Sequence, residues 1–229
     1  MAVNPEVYCG SDPAAERQLQ LVEKQVALAT DTQGQPGRTV FVTGPHASGK
    51  SHAVRHSFAQ EYAIFDLGPI IRAAHSTAVP RVSFGEWITN NEKQQGQHFT
   101  DELLAKTIAA ELAERPAPEG TILIGNRSMR GITYLRERLG VVNSLLIYLS
   151  APKNVLYERY KQREGQELTP EAFEAILQAE QAMGLGEVYE QADHIFENTC
   201  PVEDTATHLR RVIGSWSLGE TASNPGVTE

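Results

Sequence analysis

An α/β fold, with a parallel sheet layered between helices, is predicted by three features of the 229-residue chain. From Arg38 onward, short β-branched apolar runs alternate with helical patterns, as βαβ units require to cover both faces of a sheet. The octet Gly44–Ser51 reads Gly-Pro-His-Ala-Ser-Gly-Lys-Ser and fits G-x-x-x-x-G-K-[ST] at every fixed position. It lies between the run 38–43 and a Gly- and Pro-free segment, 51–59, the strand–loop–helix setting in which such an octet wraps phosphate.

Within residues 13–30, Leu19, Val22, Val26 and Ala29 share one helical face, and Gln33-Gly-Gln-Pro-Gly37 then breaks the chain. Segment 1–37 is therefore read as an N-terminal arm and helix, packed on the core or reaching a partner. Strands are predicted at 39–43, 63–67, 121–124, 144–149 and 193–196. The clearest helices are 101–115, 128–139, 153–163, 170–183 and 202–216. Thr100 stands where a hydroxyl caps the first of these, and Pro116 cannot continue it. The core domain spans 38–216, and the polar end, 217–229, reads as a disordered tail.

Hydrophobic content of 41% and charged content of 21% are ordinary for a globular protein. No stretch approaches the ~18 apolar residues that cross a bilayer. Residues 1–11 lack a basic region followed by an apolar core, so a cytoplasmic protein with no membrane partner is expected. Cys9 and Cys200 lack disulfide-framework or metal-ligand spacing and read as free thiols. A net charge of −9 argues against broad nucleic-acid binding and leaves nucleic acid only as a substrate in a local groove. Monomer and homodimer both remain open.

Each residue of the octet has a physical task. Its glycines let backbone N–H groups converge on phosphate oxygens, Lys50 reaches the β- and γ-phosphates, and the Ser51 hydroxyl suits Mg2+. Gly44, Pro45, His46, Ala47, Ser48, Gly49, Lys50, Ser51 and the following His52 thus form the expected donor site, with ATP the default donor. No Asn-Lys-x-Asp motif or transporter signature is visible, which disfavours GTPases and transport ATPases.

Three further segments resemble nucleoside monophosphate kinases. Leu67-Gly-Pro-Ile-Ile-Arg72 is similar to their Thr-Gly-Asp-x-x-Arg segment, and Gly96-Gln-His-Phe-Thr-Asp-Glu-Leu103 to Gly-x-x-Val-x-Asp-Glu-Leu. Gly125-Asn-Arg127 is similar to the Gly-x-Arg after the third strand. The C-terminal half resembles the dephospho-CoA-kinase-like branch through Leu146-Ile-Tyr-Leu-Ser-Ala-Pro152, Arg159-x-x-x-Arg163, Gln181 and Ala192-Asp-His-Ile-Phe-Glu-Asn198. Over roughly residues 38–215 the resemblance implies a P-loop NTPase three-layer α/β/α sandwich with a five-stranded parallel sheet. It also implies a helical acceptor-binding insertion at 68–115 and a short lid at 157–170, both nucleotide-kinase-like. Arg72 and Arg127 would then hold an anionic group of the acceptor, Asp101 and Glu102 would border it, and Arg159 and Arg163 would close over the donor phosphates.

The chain departs from the pattern at Ile124 and Pro69, where relatives carry acids. Asp66, ending the second strand, is the substitute carboxylate for Mg2+ or for accepting a hydroxyl's proton; capping the helix near Pro69 is its alternative role. Ordinary alternatives exist elsewhere too: surface ion pairs for the four arginines, and favourable helix-dipole placement for Asp101 and Glu102. Trp87, Phe84 and Phe99 border the acceptor region and either stack on a base or pack a core. The leading expectation is an ATP-dependent phosphotransferase acting on a nucleotide or nucleotide-like acceptor, with Lys50, Asp66, Arg127, Arg159 and Arg163 catalytic. The alternatives are a hydroxyl acceptor, such as a dephospho-CoA-like metabolite or a modified DNA base like 5-hydroxymethyluracil, and a regulatory nucleotide-binding protein without turnover.

Overall fold

The computed structural model describes residues 38–78, 82–115, 119–164 and 168–217. The arm and helix expected over 1–37, Pro116 and the tail beyond Ser217 lie outside the described residues. Five strands form one parallel sheet: β1 (Arg38–Thr43), β2 (Ala63–Asp66), β3 (Gly120–Ile124), β4 (Ser144–Ser150) and β5 (His194–Glu197). Their spatial order is β2-β3-β1-β4-β5. The helices are α1 (Lys50–Phe58), α2 (Leu67–Ala78), α3 (Phe84–Gln95), α4 (Phe99–Glu114), α5 (Met129–Arg138), α6 (Lys153–Glu164), α7 (Pro170–Ala182), α8 (Leu185–Glu190) and α9 (Val202–Ser217). None of the described helices is long and apolar enough to cross a membrane.

Strand alternation explains the layers. Val40, Val42, Ile122, Ile124, Leu145, Ile147 and Leu149 face α1 and α9, where Ala53, Val54, Phe58, Leu209 and Ile213 complete one core. Phe41, Leu123, Leu146 and Tyr148 face the opposite way and pack with Ile71, Ile108, Ile132 and Val188 of α2, α4, α5 and α8. Because both faces are covered, the central strands read as nearly unbroken apolar runs. Each buried side chain of this kind contributes roughly 1.5–3 kcal/mol. Phe41, fully buried in the central strand, is a position where truncation to alanine would cost about 3–5 kcal/mol.

β1 sits between β3 and β4, so the chain leaves it toward β2 on one side while β4 lies on the other. This switch point opens a crevice at the strand C-termini. Two local expectations are corrected. The third helix of the region 68–115 begins at Phe99 rather than 101, because the chain reverses at Gly96 (φ 98°) and Phe99 N–H bonds to the Gly96 carbonyl at 3.1 Å. Thr100 therefore falls inside the first turn and is no cap; His98 holds the N-cap position. At the end of β2, α2 starts directly at Leu67 and places Pro69 in its first turn, where its missing N–H costs nothing.

Candidate active site

The octet's conformation follows from two glycines. Gly44 leaves β1 with φ +133°, and a Cβ there would sit 2.0 Å from the Leu149 carbonyl of β4. At Gly49, with φ +89°, a Cβ would meet Asn198 Nδ2 at 2.4 Å. Asn198 is the reason for that closeness. It is buried after β5, donates to the Ser48 carbonyl at 2.7 Å and accepts from Thr205 Oγ1 of α9 at 2.8 Å. The loop is thereby tied to the far edge of the sheet, and α1 begins at Lys50 with no acid in its first turn. An anion there would meet backbone N–H donors and the positive end of the helix dipole.

Lys50 Nζ donates to the carbonyls of Gly44 (2.9 Å) and Pro45 (2.7 Å) and to Ser48 Oγ (3.1 Å). Burial lowers its pKa from 10.5 to about 8; Arg127 and Arg163 push the same way, while Glu180 and Asp66 oppose. Ser51 Oγ donates to Asp66 Oδ2 at 2.6 Å. Asp66 pairs in register with Ile124, which pairs with Val42, so its carboxylate reaches the loop across β3. Ile124 is 1% exposed in the core, and the carboxylate beside Ser51 comes from the end of β2. A hydroxyl and a carboxylate are hard oxygen donors of the kind Mg2+ prefers when phosphate oxygens and water complete its octahedron. Among the described residues no group of three or more His, Cys, Asp or Glu could hold a metal alone, so an ion here would depend on the phosphates.

A cavity of about 600 Å³ opens over the loop. Gly44, His46, Ala47, Gly49, Lys50, Ser51 and His52 line it, whereas Pro45 and Ser48 lie behind and hold Lys50. Arg72, Arg127, Arg159 and Arg163 join Lys50 on its walls, with Asp66 the acid among the lining residues. In a chain of net charge −9, this is a local reversal of sign. Arg159 and Arg163 project from one face of α6, and Arg159 Nη1 is buried with no hydrogen-bond partner among the described residues. A buried guanidinium donor without an acceptor is costly unless an anion supplies one. Cys200 is exposed and also borders the cavity.

One residue the sequence reading did not single out is central. Glu180 of α7 is 2% exposed. Its carboxylate accepts from the His46 backbone N–H at 3.1 Å, lies 2.6 Å from His46 Nδ1 and 3.3 Å from Arg127 Nε. Burial alone would raise its pKa, but the two His46 bonds and Arg127 outweigh burial and hold it below the usual carboxylate range. Arg127 Nη2 in turn lies 2.6 Å from His46 Nδ1. A faint signal existed: Glu180 lies seven residues after buried Phe173, on the inward face of α7.

No protein-family model matches the chain. A UPF0200 protein of Thermococcus onnurineus is 23% identical over 194 residues, covering 76% of this chain and 95% of that one. Among solved structures, a Thermus thermophilus protein aligns with a TM-score of 0.56 at 18% identity, covering 78% of this chain and 97% of the other. A gluconokinase of Sinorhizobium meliloti gives 0.52 at 17% identity, over 80% and 95% of the two chains. A sugar kinase of a Janibacter species gives 0.51 at 17%, over 82% and 100%. The chain has the P-loop kinase fold.

Within the P-loop kinase fold two of the expected acceptor-side residues lie elsewhere. Asp101 and Glu102 do not line the cavity; they occupy the seam between α4 and α5. Asp101 sits 3.1 Å from His98 Nδ1, and burial raises its pKa against the pull of His98. Glu102 accepts from Tyr134 Oη at 2.7 Å and from Arg138 at 2.9 and 3.0 Å, with Lys106 at 3.3 Å. These bonds outweigh burial and lower its pKa. Trp87 is buried and packs edge-on against Phe99 with ring centroids 5.1 Å apart, while Phe84 is exposed at the margin of the same cluster. Asp66 is engaged with Ser51 and stands immediately before α2.

Proposed function

We propose that the protein is an Mg2+-dependent phosphotransferase that moves the γ-phosphoryl group of ATP to a hydroxyl of a small acceptor. The observation that carries this reading is the convergence of Lys50 and four arginines on the N-terminus of α1, beside the Ser51–Asp66 pair. Backbone N–H groups of 47–51 would take the β-phosphate, and Lys50 would turn from its carbonyl partners to the β- and γ-oxygens. Ser51 and Asp66 would hold Mg2+, which neutralises charge on the bridging phosphates when bound. Arg159 and Arg163 would fold over the γ-phosphoryl; a guanidinium suits this because its planar fork binds phosphate bidentately. Loss of one such contact in the transition state costs about 3 kcal/mol, roughly a hundredfold in rate.

Segment 68–115, carrying α2 to α4, would form the acceptor side, and 157–170 the lid. Closure of both would exclude water as a competing acceptor. A hydroxyl acceptor is favoured over a nucleoside monophosphate because the charge of Arg127 is already met by Glu180, leaving Arg72 for an acceptor anion. The structural neighbours named as a gluconokinase and a sugar kinase belong with the same reading. The test is ADP release from Mg-ATP against sugars, sugar acids, nucleosides, nucleoside monophosphates, dephospho-CoA and oligonucleotides bearing 5-hydroxymethyluracil. Stimulation by a hydroxyl compound supports the reading. Stimulation by monophosphates alone would return the acceptor to the nucleotide class. Tight ATP binding with no stimulation by any acceptor would indicate a regulatory protein.

A further inference from the structure

Transfer to a hydroxyl releases a proton, and the cavity holds few basic atoms positioned to take it. Asp66 is bonded to Ser51. Glu180 is 2% exposed, with both oxygens engaged by His46 and Arg127, and cannot reach an acceptor. His46 differs: it lines the cavity and its side chain is 23% exposed. The Lys50 ammonium, which would meet the γ-phosphate, lies 2.7 Å from the carbonyl of Pro45, the residue just before His46. His46 thus flanks the reacting end of the triphosphate track.

We propose that His46 Nε2 accepts the acceptor's proton, with Glu180 as the positioning residue that fixes the ring. This rests on the hydroxyl-transfer reading above. The 2.6 Å contact of Nδ1 with the Glu180 carboxylate calls for an Nδ1–H donor, and in the neutral ring the lone pair is then on Nε2. Arg127 Nη2 is closer to Nδ1 (2.6 Å) than to Nε2 (3.3 Å). A donor on the Nε2 lone-pair axis would show the reverse order, so that axis is not taken by Arg127. As the acceptor oxygen bonds to Pγ and the bond from Pγ to the β-bridging oxygen breaks, its electron pair stays on ADP. The hydroxyl proton moves to Nε2, and the resulting imidazolium, held through Nδ1 by the carboxylate that Glu180 shares with Arg127, then loses a proton to solvent. The His46 backbone N–H also goes to Glu180, so this amide anchors the dyad instead of serving the phosphates.

The groups facing the ring are Glu180 from α7, Arg127 from the loop after β3 and Tyr160 from α6, which carries the Arg163 guanidinium on its face. Three measurements test the dyad on the full chain, using water as the acceptor probe. Long-range nitrogen–proton spectra at pH 8 should show His46 as the Nδ1–H tautomer, and Glu180→Gln should scramble it. ADP release from Mg-ATP should rise with pH through one ionisation, fall roughly a hundredfold in His46→Gln with that ionisation gone, and shift its midpoint in Glu180→Gln. Calorimetric Mg-ATP affinity should stay within a few-fold in both variants. An Nε2–H tautomer in the wild type, or an unchanged pH profile in His46→Gln with nucleotide still bound, overturns the dyad. If hydrolysis is too slow to follow, the tautomer decides alone. Failure of the wild type to bind Mg-ATP would instead strike the phosphotransferase reading.

Discussion

Replacing Lys50 with methionine tests the energetics of the loop itself. Enclosure lowers the ammonium's pKa from 10.5 to about 8. At about 1.36 kcal/mol per unit, keeping it charged at neutral pH costs the fold roughly 3 kcal/mol. The folded pKa lies below the unfolded one, so the folded chain binds fewer protons between about pH 8 and 10.5. The penalty is therefore complete below about pH 8 and relieved as pH rises. Lys50→Met removes that penalty along with three hydrogen bonds, so Tm at pH 7 should stay level or rise, while ADP formation falls at least a hundredfold. A bound triphosphate would restore the ammonium. Mg-ATP binding should then take up protons, more at pH 8.5 than at pH 7. Calorimetric titration in two buffers of different ionisation enthalpy reads this directly. No uptake at pH 8.5, equal uptake in the methionine variant, or a Tm several degrees lower would refute the reasoning.

Four other substitutions separate the roles of the parts. Asn198→Ala should cost about 2 kcal/mol in denaturant unfolding and weaken Mg-ATP binding, because the Ser48 carbonyl and Thr205 hydroxyl lose a buried partner. Gly44→Ala should unfold the loop's approach to β4, seen as a Tm loss and absent nucleotide binding, since its Cβ would meet a backbone oxygen at 2.0 Å. Asp66→Asn should raise the Mg2+ concentration needed for half-maximal ADP release by tenfold or more, with the fold unchanged by circular dichroism. Glu102→Gln should lower unfolding stability by no more than about 1 kcal/mol and leave ADP release intact, because its partners are in the α4–α5 seam.

Sequence patterns reveal what is local. The octet and the apolar runs of β1, β3 and β4 are each encoded within a few residues. Asp66 was legible for a related reason: a carboxylate ending a parallel strand emerges where the ligand crevice must be. Asp101 and Glu102 misled because acids in a first helical turn look alike whether they face a ligand or a neighbouring helix. The partners of Glu102, Tyr134 and Arg138, lie more than thirty residues onward. Glu180 was hidden most deeply, since its contact with His46 spans 134 positions and depends on how α7 packs against the loop. An isolated glutamate on an otherwise apolar helix face was its only trace.

The amide resonances of residues 44–51 under titration with Mg-ATP give the most direct test of the phosphate cradle. Those of Gly49, Lys50 and Ser51 should move downfield and saturate with the heat of binding, as N–H groups do when they donate to phosphate oxygens. Saturable binding that leaves these amides in place while others shift would put the nucleotide elsewhere and contradict the assignment of the loop.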